Sequence, residues 1–446
     1  MQEENKITKD PASFRDPAAG VYVIRDKVYR EIYPAYFPEY DHFMERIYPE
    51  LIEQDLIVPH KELSRSSDVI TIEPSLVPFI SYPYEWSFEM LKEAALVTLR
   101  VNEIAMEHGM MLKDASAYNV QHYQGRMRFI DTSSFMFYSV DTPWPAYSQF
   151  LRHFIAPMLW IKYYNPLLGR LSELYLDGVP IPLTARMLPF HTKVNARFIE
   201  HIYAQTLDFT LDPGRTPKMT RIALYAFLAD LYKFVRHLYY KPIFGHSWIK
   251  YSEAGSYSPD SLRHKKEIVA KCLGELRGRR ALDLGANTGV YSRIAAELGY
   301  DVIAVDTDHD CMYNLFNPHD TKILPLIVDL CNPSPGIGWN NRERRGFWDR
   351  IGKVDVILAL ALIHHLSVRN NVPLSLVADL LADHCNNLII EWVPLEDKKA
   401  TKLLGTKKIP EYNQAVFLEQ FSRRFNIIRA CPIDGSARII CLMESK

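Results

Sequence analysis

Residues 280–290 read Arg-Ala-Leu-Asp-Leu-Gly-Ala-Asn-Thr-Gly-Val, an apolar segment that runs into a glycine-containing turn. The helix-like run Val290 to Leu298 follows, so the predicted order is strand, glycine turn and helix. This order forms the ligand crevice of an open parallel sheet, where glycine permits a tight turn and the approach of a ligand to bare backbone. By itself, the Gly-x-x-x-Gly spacing fits an ordinary strand-to-helix turn equally well.

Further apolar runs follow at regular intervals, and polar residues stand where they end. The runs cover residues 301–306, 323–328, 354–360 and 387–390, and the polar residues are Asp306, Asp329, the pair His364-His365, and Glu391. Because parallel strands end at one edge of a sheet, these side chains are predicted to share the ligand-binding edge. Asp306 lies about twenty residues after the glycines, where a carboxylate reaches ribose hydroxyls in doubly wound folds. The sequence therefore predicts an α/β fold with a ligand site at that edge.

These residues resemble the class I S-adenosylmethionine-dependent methyltransferases, whose first motif is Asp/Glu-x-Gly-x-x-x-Gly. The resemblance implies a Rossmann-like, seven-stranded domain with S-adenosylmethionine as cofactor. The motif would lie against the methionine part, Asp306 against the ribose and Asp329-Leu330 against the adenine edge. The implied cofactor-binding residues are Asp283, Gly285, Ala286, Asn287, Gly289, Asp306, Thr307, Asp329, Leu330 and Ala361. The alternative is that the acidic residues only cap strands.

Candidate catalytic residues come from the chemistry of methyl transfer, which is an in-line displacement that requires alignment and exclusion of water. A hydroxyl acceptor also needs a base, and histidine is suited to that role. His364 and His365 are the candidates, with the alternative that they shape the pocket. Glu391 is a third candidate, which binds the acceptor, orients a histidine or simply caps its strand. No ligand spacing indicates a metal site.

A second motif occupies residues 110–132, where Asp114 and Asn119 are five residues apart and Asp131 follows an apolar strand. This pattern resembles the catalytic loop and metal-binding aspartate of the protein-kinase-like and aminoglycoside-phosphotransferase-like superfamily. The resemblance implies an α+β kinase-like domain in which Asp114 would be the base, while Asn119 and Asp131 would hold Mg²⁺ over the phosphates of ATP.

Several departures from the kinase pattern favour a domain that no longer transfers phosphate. Gly20 is the only glycine before Gly109, so a glycine-rich loop is lacking. No strand-borne lysine of the Val-Ala-Ile-Lys type is evident, and Arg30 is the nearest basic residue at a plausible place. The alternative roles for Asp114 and Asn119 are turn formation and capping.

The segments Leu112 to Asn119, Ile130 to Phe135, the glycine turn and Ile389 to Pro394 together resemble a bacterial group of two-part methyltransferases similar to the nodulation protein NoeA. This resemblance implies a kinase-like acceptor- or partner-binding domain over residues 1–245 and a methyltransferase domain over residues 246–446. It also implies a glycan or small-molecule acceptor methylated on oxygen. A bifunctional methyltransferase/kinase, an RNA methyltransferase and a non-catalytic binding protein are the alternatives.

Local patterns predict individual elements. A hairpin is expected over Val21 to Ile32, short strands over Val69 to Glu73 and Leu76 to Ser81, and a long helix from Ser87 to about His108. Trp248, Tyr251 and Tyr257 precede the first sheet strand, where aromatic residues either close over a cofactor or pack at a domain interface.

Composition excludes several classes of protein. The chain has 446 residues and a net charge of −1, which does not suggest binding to nucleic acid. Its six cysteines form no Cys-x-x-Cys pair, which favours a reducing cytoplasm over a disulfide framework. The polar N-terminus lacks the apolar region of a signal peptide, and no uncharged apolar run is long enough for a transmembrane segment. The sequence leaves the oligomeric state open.

Overall fold

The computed structural model describes residues 8–24, 27–207, 218–241 and 257–446. The chain divides into two compact units. Unit 1 consists of Met1–Ile243 together with the segment Gly336–Arg345, and unit 2 consists of Phe244–Pro335 and Gly346–Lys446. Among the described residues, no helix combines the length and the apolar character that a membrane crossing requires.

Unit 1 begins with an antiparallel sheet of five strands in the order β1-β2-β3-β5-β4. These strands are β1 (Thr8–Lys9), β2 (Ala19–Ile24), β3 (Lys27–Ile32), β4 (His60–Arg65) and β5 (Ile70–Pro74). The predicted hairpin is confirmed, because β2 pairs with β3 along their whole length from Ala19↔Ile32 to Ile24↔Lys27. Its predicted turn, Arg25-Asp26, lies outside the described residues.

The strand predicted over Val69 to Glu73 is confirmed by β5. The strand predicted over Leu76 to Ser81 is wrong. Leu76 to Ser81 is irregular, and a short 3₁₀ helix follows at Pro83–Glu85. Pro78 has no backbone N–H to donate to a ladder. The backbone N–H of Ser81 donates instead to the side-chain carbonyl of Gln121 at 2.9 Å. The segment is therefore held by side-chain hydrogen bonds and not by a neighbouring strand.

Helices and two small two-stranded sheets complete unit 1. The helices are α1 (Phe37–His42), α2 (Tyr48–Glu53), α3 (Phe88–Glu107), α4 (Tyr147–Phe150), α5 (Ala156–Tyr163), α6 (Ile181–Met187), α7 (Ala196–Phe198) and α8 (Arg221–His237). The small antiparallel sheets pair β6 (Met110–Leu112) with β9 (Phe135–Phe137) and β7 (Val120–Tyr123) with β8 (Arg126–Phe129). The predicted long helix is confirmed by α3, which buries Leu91, Ala95 and Leu99 along one face.

A segment from the second half of the chain belongs to unit 1. Glu343 is buried there and accepts hydrogen bonds from the guanidinium of Arg15 and from the backbone N–H of Trp339. The guanidinium of Arg344 lies 4.3 Å from the centre of the Tyr118 ring. Burial alone would raise the pKa of Glu343, but the Arg15 hydrogen bonds hold it below its usual value. Electrostatics therefore fix residues 336–345 within unit 1.

Unit 2 contains a seven-stranded mixed sheet in the order β12-β11-β10-β13-β14-β16-β15. The strands are β10 (Arg280–Leu284), β11 (Asp301–Asp306), β12 (Ile323–Ile327), β13 (Val354–Ala359), β14 (Cys385–Trp392), β15 (Phe425–Pro432) and β16 (Ile439–Ser445). The five strands expected from apolar runs are parallel to one another, and β15 and β16 add an antiparallel pair at one side. The expected α/β fold is confirmed.

Helices connect the strands of unit 2. They are α9 (Pro259–Glu275), α10 (Val290–Glu297), α11 (His309–Leu315), α12 (Phe347–Ile351), α13 (Leu374–His384), α14 (Lys398–Leu404) and α15 (Gln414–Ser422). The core of this unit buries side chains from α9, α11 and the central strands, among them Val269, Met312 and Val356. The parallel arrangement brings the ends of β10, β11, β12, β13 and β14 to one edge of the sheet, where the candidate site lies.

Candidate functional site

The turn after β10 adopts a conformation that requires glycine. Gly285 has φ +72° and Gly289 has φ +76°, both in the left-handed region. A Cβ atom at Gly289 would lie 2.4 Å from Cδ1 of Leu315. The backbone N–H groups of Gly285 and Ala286 donate to the carbonyl of Val305, so the turn is attached to β11. Both glycines of the motif are thus required by the local geometry.

Asn287 occupies the middle of this turn with φ +49°, a conformation that asparagine tolerates better than most residues. Its backbone N–H donates to Oδ2 of Asp306 at 2.9 Å. Oδ1 of Asp306 accepts from the backbone N–H of Asp308 at 3.0 Å. Burial raises the pKa of Asp306, and these hydrogen bonds oppose the increase. The structure therefore connects the glycine turn directly to Asp306 by a hydrogen bond.

Asp283 lies beneath the turn and is buried. The hydroxyl of Ser292, on α10, donates to its Oδ2 at 2.6 Å. Burial raises the pKa of this carboxyl to about 6, although the hydrogen bond from Ser292 acts in the opposite direction. A cation bound near Asp283 would therefore favour the ionised form of its carboxyl group, because a positive charge lowers the pKa of a buried carboxyl group.

The remaining predicted cofactor residues lie along the same edge. Thr307 follows β11 and is exposed, while Asp329 and Leu330 follow β12 and are half-buried. Oδ1 of Asp329 accepts from the backbone N–H of Cys331 at 2.9 Å. Ala361, just beyond β13, has φ +51°, which is uncommon for a residue other than glycine. Such backbone conformations concentrate at functional sites.

The two candidate histidines differ sharply in exposure. His364 is completely buried and His365 is half-buried, and their ring centres are 4.3 Å apart. The backbone N–H of His365 donates to the carbonyl of Leu362 at 2.8 Å, and the backbone N–H of Asn370 donates to the carbonyl of His365 at 3.2 Å, which closes the π-helical turn His365–Arg369. Of the two rings, only that of His365 has a surface that an acceptor can reach.

Glu391 is fully buried at the end of β14 and is surrounded by cations. Nζ of Lys265 lies 2.7 Å from Oε2, and Nη1 of Arg438 lies 3.1 Å from Oε1. The hydroxyl of Tyr257 also donates to this carboxylate. Burial alone would raise its pKa, but the two cations lower the pKa of Glu391 to about 2. A carboxylate held in this way is a poor proton acceptor at neutral pH, so its environment favours a structural role.

Sequence reasoning missed Lys265, Arg438 and Ser292. Lys265 carried a signal, because it lies on the buried stripe of α9 at helical spacing from Ser261 and Val269. Arg438 carried none, since it reaches Glu391 only through the pairing of β14 with β16, and β16 was not predicted from its own residues. Tyr257, one of three predicted aromatic residues, packs in this cluster. Trp248 and Tyr251 lie outside the described residues.

The kinase-like residues of unit 1 form a separate cluster in which an arginine engages the key aspartate. The guanidinium of Arg30, on β3, forms an ion pair with Asp131, and both side chains are 15% exposed. The hydroxyl of Ser134 donates to Asp131 and accepts from the side-chain amide of Asn119 at 3.2 Å. Oδ1 of Asp114 accepts from the backbone N–H of Ser116 at 2.8 Å, and burial raises the pKa of this carboxyl.

Comparison with known proteins places the whole chain in one family. No protein-family model matches the sequence. Among solved structures, the N-methyltransferase NodS from Bradyrhizobium japonicum WM9 in complex with S-adenosyl-L-homocysteine has 8% identity and a TM-score of 0.33, covering 45% of this chain and 98% of NodS. The bifunctional kinase-methyltransferase WbdD has 17% identity and a TM-score of 0.30, covering 48% of this chain and 46% of WbdD.

The curated relative extends over both units. The nodulation protein NoeA of Rhizobium meliloti (strain 1021) is 30% identical over 454 residues, which cover 97% of this chain and 95% of NoeA. An alignment of this length includes the glycine turn of unit 2 and the Asp114–Asp131 cluster of unit 1. The chain therefore belongs to the family of the nodulation protein NoeA.

Proposed function

We propose that this protein is an S-adenosylmethionine-dependent methyltransferase that methylates an oxygen atom of a sugar-containing or small-molecule acceptor. Residues 246–446 form its Rossmann-like methyltransferase domain. The observation that carries this proposal is the contact of the Asp306 carboxylate with the backbone N–H of Asn287. It joins the glycine turn and the ribose-type acid at one sheet edge, as expected for a nucleoside site.

The residues at this edge fit an adenosyl sulfonium compound. The left-handed backbone at Gly285 and Gly289 leaves these two positions of the turn without a side chain, and a Cβ at Gly289 would collide with Leu315. A carboxylate offers roughly four acceptor positions, so Asp306 can accept ribose hydroxyls besides its two backbone donors. Buried Asp283 suits a positively charged group, and Asp329 with Leu330 lies at the adenine position. The cofactor supplies an electrophilic methyl group, and no phosphate-binding backbone is required.

The residues of this chain then have defined tasks. The turn and Asp306 fix the nucleoside, while the β13 edge with Ala361 limits access of water to the reacting atoms. His365 takes the proton of an acceptor hydroxyl, because it is half-buried whereas His364 is completely buried. Glu391 holds this edge of the sheet in place by its ion pairs with Lys265 and Arg438. The described cysteines are free, which agrees with action in a reducing cytoplasm.

Residues 1–245, which include the main part of unit 1, serve as a kinase-like acceptor- or partner-binding domain that does not transfer phosphate. The supporting observation is the Arg30–Asp131 ion pair together with the serine hydrogen bond to Asp131. A metal ion at this carboxylate would have to displace the guanidinium. We expect the full-length chain to show no Mg²⁺-dependent ATP binding in calorimetry at millimolar nucleotide. Mg²⁺-dependent binding that Asp131→Ala abolishes would show that the kinase-like site is active.

Methyl transfer itself is tested with labelled S-adenosylmethionine. Incubation of the full-length protein with the labelled compound and an extract of the producing cell should label one acceptor. Mass spectrometry of the product should locate the methyl group on an oxygen of a glycan or small molecule. Label on nitrogen or on RNA would contradict the proposed acceptor class. Label that does not depend on the added protein would contradict the enzyme assignment.

The cofactor site is tested by Asp306→Ala. Loss of hydrogen bonds to a charged group costs about 1.5–3 kcal/mol, so the Kd for S-adenosylhomocysteine should rise roughly ten- to a hundredfold. Calorimetry measures this change. Asp301→Ala is the matched control, because Asp301 is at the opposite end of the same strand and should leave the Kd unchanged. Equal affinities of the two variants would remove the basis for the proposed pocket.

A further inference from the structure

A cluster of three potential metal ligands lies in the helical part of unit 1 and shares no residue with either site described above. Glu200 and His201 belong to the π-helical turn Ile199–Tyr203, and Asp230 belongs to α8. One ligand atom from each residue lies within 4.8 Å of the other two. His201 and Asp230 are 29 positions apart in the sequence, so the cluster is assembled by the fold and has no spacing signal in the sequence.

His201 is the central residue of this cluster. Its side chain has no exposed surface, and its ring packs against Phe227 and nearly parallel to Phe234, each with centres 5.4 Å apart. Nδ1 is 2.8 Å from the hydroxyl of Tyr147. Nε2 is buried without a hydrogen bond and points towards Asp230, whose Oδ2 is 3.5 Å away. A buried polar atom without a hydrogen bond is costly, and here it faces carboxylates.

The tautomer of the ring defines what Nε2 offers, because a neutral imidazole carries one N–H and one lone pair. When Nδ1–H donates to Tyr147, the lone pair of Nε2 points at the carboxylates of Asp230 and Glu200. Two negative groups around a lone pair repel one another unless a cation lies between them. Tyr147 then orients the ring as hydrogen-bond partners of metal-bound histidines commonly do.

We propose that Glu200, His201 and Asp230 bind a divalent transition-metal ion such as Zn²⁺, which fastens α8 to the turn Ile199–Tyr203. One imidazole nitrogen and two carboxylates are ligands typical of zinc, with solvent completing the coordination. Zinc bonds of about 2.0–2.1 Å place tetrahedral ligand atoms roughly 3.3 Å apart. The 3.5 Å between Nε2 and Oδ2 is already close to this value. Glu200 is exposed, so its carboxylate can move inward.

Arg197 provides an internal control. Its Nε lies 3.1 Å from Oδ1 of Asp230, the oxygen that does not face His201. The guanidinium therefore competes electrostatically with a cation without occupying its position. A metal site predicts that removal of this positive charge strengthens zinc binding, whereas a purely structural ion pair makes no such prediction.

The test is a zinc titration of the full-length chain after treatment with a chelator, read by competition with a chromophoric chelator. Wild type should bind Zn²⁺ and gain thermal stability, since a ligand that binds only the folded state stabilises it. Glu200→Gln and Asp230→Asn should each weaken binding at least tenfold, and both positions are accessible enough for the variants to fold. Arg197→Gln should bind Zn²⁺ more tightly than wild type, because a positive charge next to Asp230 is removed.

Two results would overturn the proposal. One is that wild type fails to bind Zn²⁺ above the level of an unrelated protein. The other is that Glu200→Gln and Asp230→Asn retain the full affinity, which would place the ion elsewhere, for example at the exposed Cys331. The readout is metal affinity, so failure here leaves the proposed methyl transfer untouched.

Discussion

Glu391→Gln should lower the free energy of unfolding of unit 2 by about 3–5 kcal/mol, the usual cost of removing one partner from a buried ion pair. The substitution keeps the shape of the side chain and removes its charge. Arg438 would then remain buried with Asp397 as its ion-pair partner, while Lys265 would lose the carboxylate that lies 2.7 Å from its Nζ. Both cations have side chains less than 5% exposed, so water cannot replace the lost charge.

Hydrogen exchange of peptides from β14 and β16 measures this loss within unit 2, since a two-unit chain need not unfold in a single step. Glu419→Gln is the matched control, because Glu419 pairs with Arg423 on the surface and its loss should cost less than 1 kcal/mol. Equal effects of the two substitutions would show that the buried network contributes little.

The ion pairs of Glu391 with Lys265 and Arg438 also predict that the stability of unit 2 depends on pH. The pKa of Glu391 is lowered from 4.5 to about 2, so its ionised form contributes stability above pH 4.5. That contribution is lost as the pH falls from 4.5 towards 2. The difference in stability between wild type and Glu391→Gln should therefore be largest near neutral pH and shrink through this acidic range. A difference that stays constant down to pH 2 would contradict an electrostatic origin.

Sequence patterns predicted those parts of unit 2 that depend on local chemistry. The parallel strands appear as apolar runs because both faces of the sheet are covered. The glycine turn was visible because only glycine adopts its left-handed backbone without cost. The antiparallel pair β15 and β16 was not predicted from its own residues, since Asn426 and Arg429 interrupt the apolar pattern of β15. Its existence was expected only from the resemblance to class I methyltransferases.

The surroundings of the candidate side chains were less accessible to sequence reasoning, because they depend on long-range contacts. Glu391 was identified by its position at a strand end, but its two cations come from α9 and from beside β16. Likewise, Asp131 was identified by its motif, while its ion pair with Arg30 joins residues 101 positions apart. A sequence shows where a charged group occurs along the chain, whereas its protonation and its available partners follow from the packing around it.

His365→Gln should lower kcat for methyl transfer by about 10²–10⁴-fold, the usual contribution of a general base. The reason lies in the contrast within the histidine pair. His364 has no exposed surface, while His365 is half-buried just beyond β13, at the edge that carries the turn and Asp306. Glutamine keeps a polar side chain but cannot accept the proton. The Kd for S-adenosylhomocysteine should stay within a few-fold of wild type, which separates a catalytic effect from damage to the cofactor site.

Two comparisons make this assignment of the base specific. His384→Gln is the control, because His384 precedes β14 at the opposite edge of the sheet, where its Nδ1 lies 2.7 Å from the carbonyl of Gly352. It should leave kcat unchanged. The split between kcat and KM supplies the second, since loss of a general base should lower kcat and kcat/KM together. A variant that keeps the wild-type kcat with a raised KM would assign His365 to acceptor binding, and the proton would then leave by another route.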